Sequence, residues 1–373
     1  MKRLVFFSVV LLMLGLGYFT FHQLYKEEIK VYDVKNDFGA KGDGIADDTQ
    51  SIQKAIEGIP SGSTLRIPEG VYNLNGDNAF DVKTDYGPSK SLFKIDKPLT
   101  IIMDGAILRT KTSDNVGVFW INKTSNVTIK GGFLTGDIIP TDGGLTSRIG
   151  VLIQESKNSK IQGLTTRNFS QGINLYYSED ISIKDCVTEQ NKGSGIISFR
   201  SKNSTIDSCF VRNSGDGHLS MYGGGQNNTV SNNIVIEDRL DNKGQQGITI
   251  ESEKDSLITN NKVSGFYYGI DVKNGAERCE IRNNRSFNNV VNIAIRPGDP
   301  DNLQTVSNDI VIANNNVLDN RDADNNSGIY IQVGENHKIY NNVIKKKKLI
   351  YKNEVLSDNK EGSDEIYNNV FID

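Results

Sequence analysis

The stretch "ITNNKVSGFYYGIDVKN" (258–274) decides the fold. It contains two short apolar alternations, "ITNNKV" and "GIDVKN", joined by small and turn-forming residues. A period of two reads as a strand with one buried face. Both halves recur along the chain. The second returns as "QGINLYY", "SGIISFR", "QGITIES" and "SGIYIQV". Its glycines stand at 150, 172, 195, 217, 247, 269 and 328, with Asn292 in the same place. Most steps are 22 or 23 residues; the step after Gly217 is 30 and that after Asn292 is 36. The first half returns as "IKDCV" (183–187), "IDSCF" (206–210), "VSNNI" (230–234), "IRNNRS" (281–286), "IANNNV" (312–317), "IYNNVI" (339–344) and "IYNNVF" (366–371).

Self-similarity at this period marks a solenoid whose units bury their apolar faces on one another. The expected fold is all-β: a parallel β-helix of about ten coils, stacked at about 4.8 Å. Asn233, Asn261, Asn284, Asn315, Asn342 and Asn369 then form one column, where stacked amides bond along the axis. Cys186 and Cys209 share that column and read as a buried thiol stack; with Cys279 the count is odd, which is no disulfide framework.

Outside the repeat, "VYDVKNDFGAKGDGIADDTQSIQKAI" (31–56) and "GSTLRIPEGVY" (62–72) resemble the opening of the pectate-lyase superfamily. That superfamily comprises right-handed β-helices of rhamnogalacturonase, polygalacturonase and epimerase type, and phage tailspikes. The resemblance implies a right-handed helix, a short helix plugging its open end, and a polysaccharide as partner. Asp48 is placed to cap that helix over 49–57, with Ile52, Ala55 and Ile56 on its inner face. The chain divides into 1–29, 30–93 (cap and first strands) and 94–373 (coils). Lys2 and Arg3 before the uncharged run 4–21 read as a membrane anchor or export signal, which puts the remainder outside the cytoplasm. A net charge of −4 argues against nucleic acid as a partner. "KKKK" (345–348) reads as a solvated loop.

Isoleucines after each column glycine should point in, leaving a stripe of outward residues: Asn174, Tyr176, Thr249, Glu251, Asp271, Lys273 and Arg296. "GDGHLSM" (215–221) breaks the pattern, since His218 stands where isoleucine is expected. A bulge at the strand entry would turn Leu219 and Met221 inward and Asp216, His218 and Ser220 outward. The same shift in "GSGIISFR" would turn Ser198 and Arg200 outward. The expected site is therefore His218, Asp216, Arg200 and Tyr222 as catalytic groups. Tyr176, Glu251, Asp271, Lys273 and Arg296 would bind substrate, in a groove walled by 136–148 and 237–246.

"DGH" (216–218) is similar to the Asp-Pro-His motif of mannuronan epimerases, whereas the carboxylate motifs of polygalacturonases are absent from these coils. With His218 as base and a cation on the uronate carboxylate, the reaction is proton abstraction from an acidic glycan, by lyase or epimerase. Two alternatives stand beside it. One is a glycoside hydrolase using Asp216 and Glu251, about 5 Å apart, or Asp271. The other is a non-catalytic glycan-binding or adhesive solenoid. No cofactor is required; calcium held by Asp216, Glu251 and Asp271 is compatible with the pattern.

Overall fold

The computed structural model describes residues 30–372 apart from 86, 112–114, 138–147, 240–245, 299–305, 319–326, 346–349 and 353–362. Both expected groove walls, most of "KKKK" and the N-terminal segment fall largely or wholly outside these residues. Among the described residues no helix is long and apolar enough to cross a membrane.

Tyr32–Asp373 is one compact unit built from two sheets. Among the described residues one has 24 strands and the other 12. In the smaller sheet, Phe80–Thr84 pairs antiparallel with Gly87–Ile95, and the other neighbours pair in parallel. Setting Phe80–Thr84 aside leaves eleven rungs, against about ten expected. The larger sheet carries two further parallel ladders per coil, such as Ser182–Lys184 on Thr205–Asp207 and Val187–Glu189 on Phe210–Arg212. Three strands per coil, each on its equivalent one coil away, make a parallel β-helix. Its interior is a continuous stack running from Leu65 and Ile101 through Ile173, Ile196, Leu219, Ile248 and Ile270 to Ile329.

The "NN" pairs explain one corner of each coil. The first asparagine (232, 260, 283, 314, 341 and 368) takes φ between +53° and +57°, a conformation asparagine adopts more readily than most residues. The second is turned into the solenoid. Asn284 Nδ2 donates to Asn315 Oδ1 (3.1 Å) and Ile258 O (2.9 Å); its Oδ1 accepts from Asn261 N (2.9 Å) and Nδ2 (3.0 Å). The pattern continues from Asn233 to Asn369. Every polar atom in this buried corner has partners, so an amide column is tolerated in the core. Cys186 and Cys209 extend the column, and all three cysteines are buried free thiols.

The helix Thr49–Gly58 buries Thr49, Ile52, Ala55 and Ile56. Asp48 does not cap it. The Asp48 carboxylate accepts from Lys41 N (2.6 Å) and Gly42 N (2.9 Å), bracing the preceding loop, while Asp47 Oδ1 takes the Thr49 N–H (3.0 Å).

The hairpin Phe80–Thr84/Gly87–Ile95 was not legible in the repeat. It crosses the outer face of the smaller sheet, where Val82 packs with Ile149, Leu152, Tyr176, Ile197 and Phe199. Gln154 Nε2 donates to Lys83 O (3.0 Å), and Tyr177 OH donates to Asp85 Oδ2 (2.7 Å). This cover explains why "GIISF" keeps the regular register. Ile196 and Ser198 pair with Leu219 and Met221 and face inward with them. Ile197 and Phe199 point outward but are only 3% and 4% exposed. Ser198 is thus buried, contrary to expectation.

Candidate functional site

In the coil after Ile197, Leu219 and Met221 do point inward and Ser220 outward, as expected. The fate of His218 differs from the expectation. Leu219 pairs with Ile196 on one side and Ile248 on the other, so His218 lies at the level of Gly195 and Gly247. It occupies the glycine column, which Asn292 shares, rather than the isoleucine column. Its ring is completely buried, 4.6 Å from the Phe266 ring and edge-on to it. Burial pushes its pKa down to about 3. A neutral ring enclosed in the core cannot meet a substrate, so His218 is not an outward base.

The slip that carries His218 inward opens a cleft on the outer face. Strands Gln171–Tyr176 and Gln246–Glu251 are six residues long, whereas Ile196–Phe199 and Leu219–Tyr222 between them have four. The missing residues form bends at "GSG" and "GDG". Backbone crowding requires a glycine at 215, where a Cβ would lie 1.9 Å from Lys192 O.

The result is a cleft of about 380 Å³. Gln171, Ser194 and Gln246 line its near side; Ile197, Ser220 and Thr249 form its floor; Tyr222, Glu251 and Lys273 line its far side. Asp216 enters from the near end beside Gly193. Glu251 accepts from Asn274 Nδ2 (2.6 Å), and its carboxylate lies 3.4 Å from Lys273 Nζ. Among the described residues the buried Thr249 Oγ1 has no hydrogen-bond partner.

Of the nine residues expected at the site, Asp216, Tyr222, Glu251 and Lys273 line this cleft and the other five do not. Asp271 is fully buried and clamped by Arg296 through Nε (2.8 Å) and NH2 (2.7 Å), and that guanidinium sits 4.4 Å from the Tyr268 ring centre. Tyr176 is 3% exposed, stacked 5.2 Å from Phe199, with its hydroxyl accepting from Asp85 N. Arg200 is exposed but serves the hairpin: it donates to Tyr177 OH and Gly223 O (3.0 Å) and lies 3.8 Å from Asp85. Gln171 and Gln246 were missed. Their signal was the polar residue before each column glycine in "QGIN" and "QGIT".

Asp216 and Glu251 do not form a close pair. Met221 pairs with Ile250, which puts Glu251 at the level of Tyr222, far along the strand from Asp216. At about 3.3 Å per residue this is well beyond the 5 Å expected from adjacent coils. The carboxylates stand at opposite ends of the cleft, with hydroxyl and amide groups between them.

Comparisons with known proteins agree with this fold. The family model described as periplasmic copper-binding protein (NosD) matches residues 109–306, more than half of the chain. Alginate lyase 7 of Azotobacter vinelandii is 29% identical over 192 residues, 44% of this chain and 20% of the relative. Exo-poly-alpha-D-galacturonosidase of Dickeya chrysanthemi is 25% identical over 253 residues, 53% of this chain and 39% of the relative. The chain therefore spans well under half the length of these relatives. Among solved structures, the A-module of the Azotobacter vinelandii mannuronan C-5 epimerase AlgE6 superposes with a TM-score of 0.61 at 15% identity, covering 92% of this chain and 99% of that one. The neighbours are right-handed parallel β-helices, and the relatives are polysaccharide-active enzymes of lyase, epimerase and hydrolase type.

Copper binds imidazole and sulfur donors, and the described donors do not fit it. His218 Nε2 accepts from Ser214 N and its Nδ1 faces Asp216 O. His337 Nδ1 accepts from Ile310 N and its Nε2 faces Val333 O. The three thiols donate to backbone carbonyls inside the solenoid. Among the described residues no three His, Cys, Asp or Glu side chains are grouped to hold a metal.

Proposed function

This chain belongs to the NosD family of β-helix proteins, and from that footing we propose that it is an exported enzyme that hydrolyses a polysaccharide in the Asp216–Glu251 cleft. The observation that carries the reading is the placement of two carboxylates at opposite ends of one polar cleft, while the only central imidazole is withdrawn into the core. Elimination and epimerisation rested on an outward His218, and the enclosure of its ring in the core removes that base. Glycoside hydrolysis needs two carboxyl groups, one to protonate the leaving oxygen and one to activate water or attack directly. Their separation is wider than that of a close retaining pair and leaves room for a water beside the sugar.

Each side chain has a place in that reaction. Asp216, on an exposed glycine-flanked turn, is the acid at the leaving group. Glu251, oriented by Asn274 and Lys273, directs the water. Ser220, Gln171 and Gln246 supply hydrogen bonds to sugar hydroxyls, and Tyr222 offers a ring to a sugar face. Among the described lining residues two carboxylates face one ammonium. That balance favours a neutral glycan over the acidic one expected from sequence. Export rests on Lys2, Arg3 and the apolar run 4–21.

Incubation with alginate, polygalacturonate and a neutral galactan tests the proposal. New reducing ends are expected, and the neutral polymer should be preferred. An ultraviolet-absorbing unsaturated product, solvent deuterium entering C5 without cleavage, or binding with no product would each overturn hydrolysis.

A further inference from the structure

We propose that His218 is a positioning residue, whose buried imidazole holds the turn that carries Asp216 into the cleft. The inference rests on the reading of that cleft as the catalytic site.

The neighbouring coils show how unusual a side chain is at this place. A Cβ at Gly195 would lie 2.4 Å from Thr188 Oγ1, and one at Gly247 would lie 2.5 Å from Val263 Cγ1 and 2.9 Å from Phe266 Cδ2. The column is glycine there because the corner is full. At 218 the corner admits a whole imidazole, packed on Phe266. Something other than packing must favour it.

The ring's hydrogen bonds supply that reason. Nε2 accepts from Ser214 N at 3.0 Å, and Nδ1 lies 3.1 Å from Asp216 O. A neutral imidazole has one N–H, and Nε2 is already an acceptor, so the proton sits on Nδ1 and is donated to Asp216 O. The ring thus bridges residues four and two places before it, closing the turn 214–217 from inside. The six-residue strands that flank this pair of short ones begin their ladders at Gln171 and Gln246, so their backbone is held by strand pairing. Here the described strand begins only at Leu219; Gly215 N ties the turn to the coil before, donating to Asn191 O and Gly193 O (both 3.0 Å), and the imidazole adds two bonds from inside. Arg239 secures the same turn from outside. It donates through NH2 to Ser214 O (2.7 Å) and is itself held by the buried Glu237. Both glycines of "GDG" lack side chains that could anchor the loop. The orientation of Asp216 therefore depends on the imidazole and Arg239, together with Ser220, whose Oγ donates to Gly217 O (3.1 Å).

Two variants test this in the intact chain. His218→Gly restores the residue that neighbouring coils carry and removes the clamp. His218→Asn keeps an amide able to accept and donate, as Asn292 in the same column accepts from Asn289 Nδ2 and donates to Leu318 O. The first measurement is backbone hydrogen exchange. In His218→Gly the amides of 213–217 should exchange at least tenfold faster, while strands 196–199 and 248–251 keep wild-type rates; His218→Asn should recover part of the protection. The second measurement is turnover of whichever of alginate, polygalacturonate or galactan the wild type degrades. The turnover number should fall at least tenfold in His218→Gly with KM nearly unchanged, and His218→Asn should lie between the two.

Unchanged exchange at 213–217, or acceleration spread equally over all three coils, would overturn the positioning role. So would unchanged turnover despite a loosened turn. If the wild type degrades none of the polymers, the catalytic reading of the cleft fails, and the exchange result still decides whether His218 holds the turn.

Discussion

Two parts of each coil follow opposite rules. At the asparagine corner the same residue recurs from 233 to 369, and each amide makes the same bonds to the coils before and after it. On the outer face between Gln171 and Lys273 the repeat is interrupted: strands shorten, glycines bend the chain, and a histidine enters a glycine column. The difference teaches where stability and chemistry reside. Identical neighbours let every buried polar atom find a partner, which suits a scaffold. Unlike neighbours leave gaps, and a gap on the surface is a cleft.

The comparison breaks if chemistry and stability are not separable, and the cleft offers the largest test. Glu251→Gln and Asp216→Asn should each lower turnover at least a hundredfold. Their melting temperatures should stay within about 2 °C of wild type, as expected for substitutions away from the core that cost under about 0.5 kcal/mol. Steady-state assays paired with calorimetry measure both. A large drop in stability would mean that the cleft acids are scaffold.

The corner should behave in reverse. Asn284→Ala removes four hydrogen bonds and leaves groups on both neighbouring coils unpaired in the core. A loss of about 3 kcal/mol is expected, from about 1–3 kcal/mol for each buried group left unpaired. Urea unfolding measures it, and any remaining folded protein should keep its turnover number.

A third place sharpens the contrast, because there the repeat breaks inside the solenoid rather than on its surface. Ser156, Ser178 and Ser201 stack in one column, each hydroxyl accepting from the coil before where the bond is formed. Gly225 and Glu253 follow in the same column, and the Glu253 carboxylate fills the space that the glycine leaves. Glu253 is fully buried, receives bonds from Asn228 and Ser256, and has an unpaired Oε1. Burial pushes its pKa from 4.5 up to about 7. A carboxyl raised on folding favours the folded state while protonated. Its contribution is complete below about pH 4.5 and is lost as pH rises through 7, by roughly 3 kcal/mol in all. Glu253→Gln should remove that dependence. The variant should match wild type near pH 4.5 and exceed its unfolding free energy by 2–3 kcal/mol at pH 8. Equal pH profiles for the two proteins would show that the buried carboxyl is not what titrates.

How much of this was legible depended on whether a signal repeats. "NN" at six coils gave the corner, its left-handed residue and its amide stack, because each coil states the same requirement again. The central cluster was stated once, and there the reading failed. "GDGHLSM" was correctly taken as a shifted register, but a shift by one residue can turn His218 outward or move it into the next column. Only the pairing of Leu219 with both Ile196 and Ile248 distinguishes these. "GIISF" was taken as shifted and is regular. Its outward Ile197 and Phe199 are covered by a hairpin more than 100 residues earlier in the chain. Asp271 and Arg296 were placed on the right face, yet they face each other rather than the cleft.

The sequence alone determined the parallel β-helix, its period, the asparagine corner, the buried thiols and the face on which an acidic cleft forms. These follow from alternation and repetition, which act between a residue and its near-identical counterpart one coil away. Tertiary structure alone decided which residues of that face are reachable. Tyr176 is sealed beneath the hairpin, Arg200 is drawn to Asp85, and His218 is enclosed beside Phe266 while Asp216 is left in the cleft. Each of these outcomes is set by unlike segments meeting once in space, and such a meeting leaves no period in the sequence.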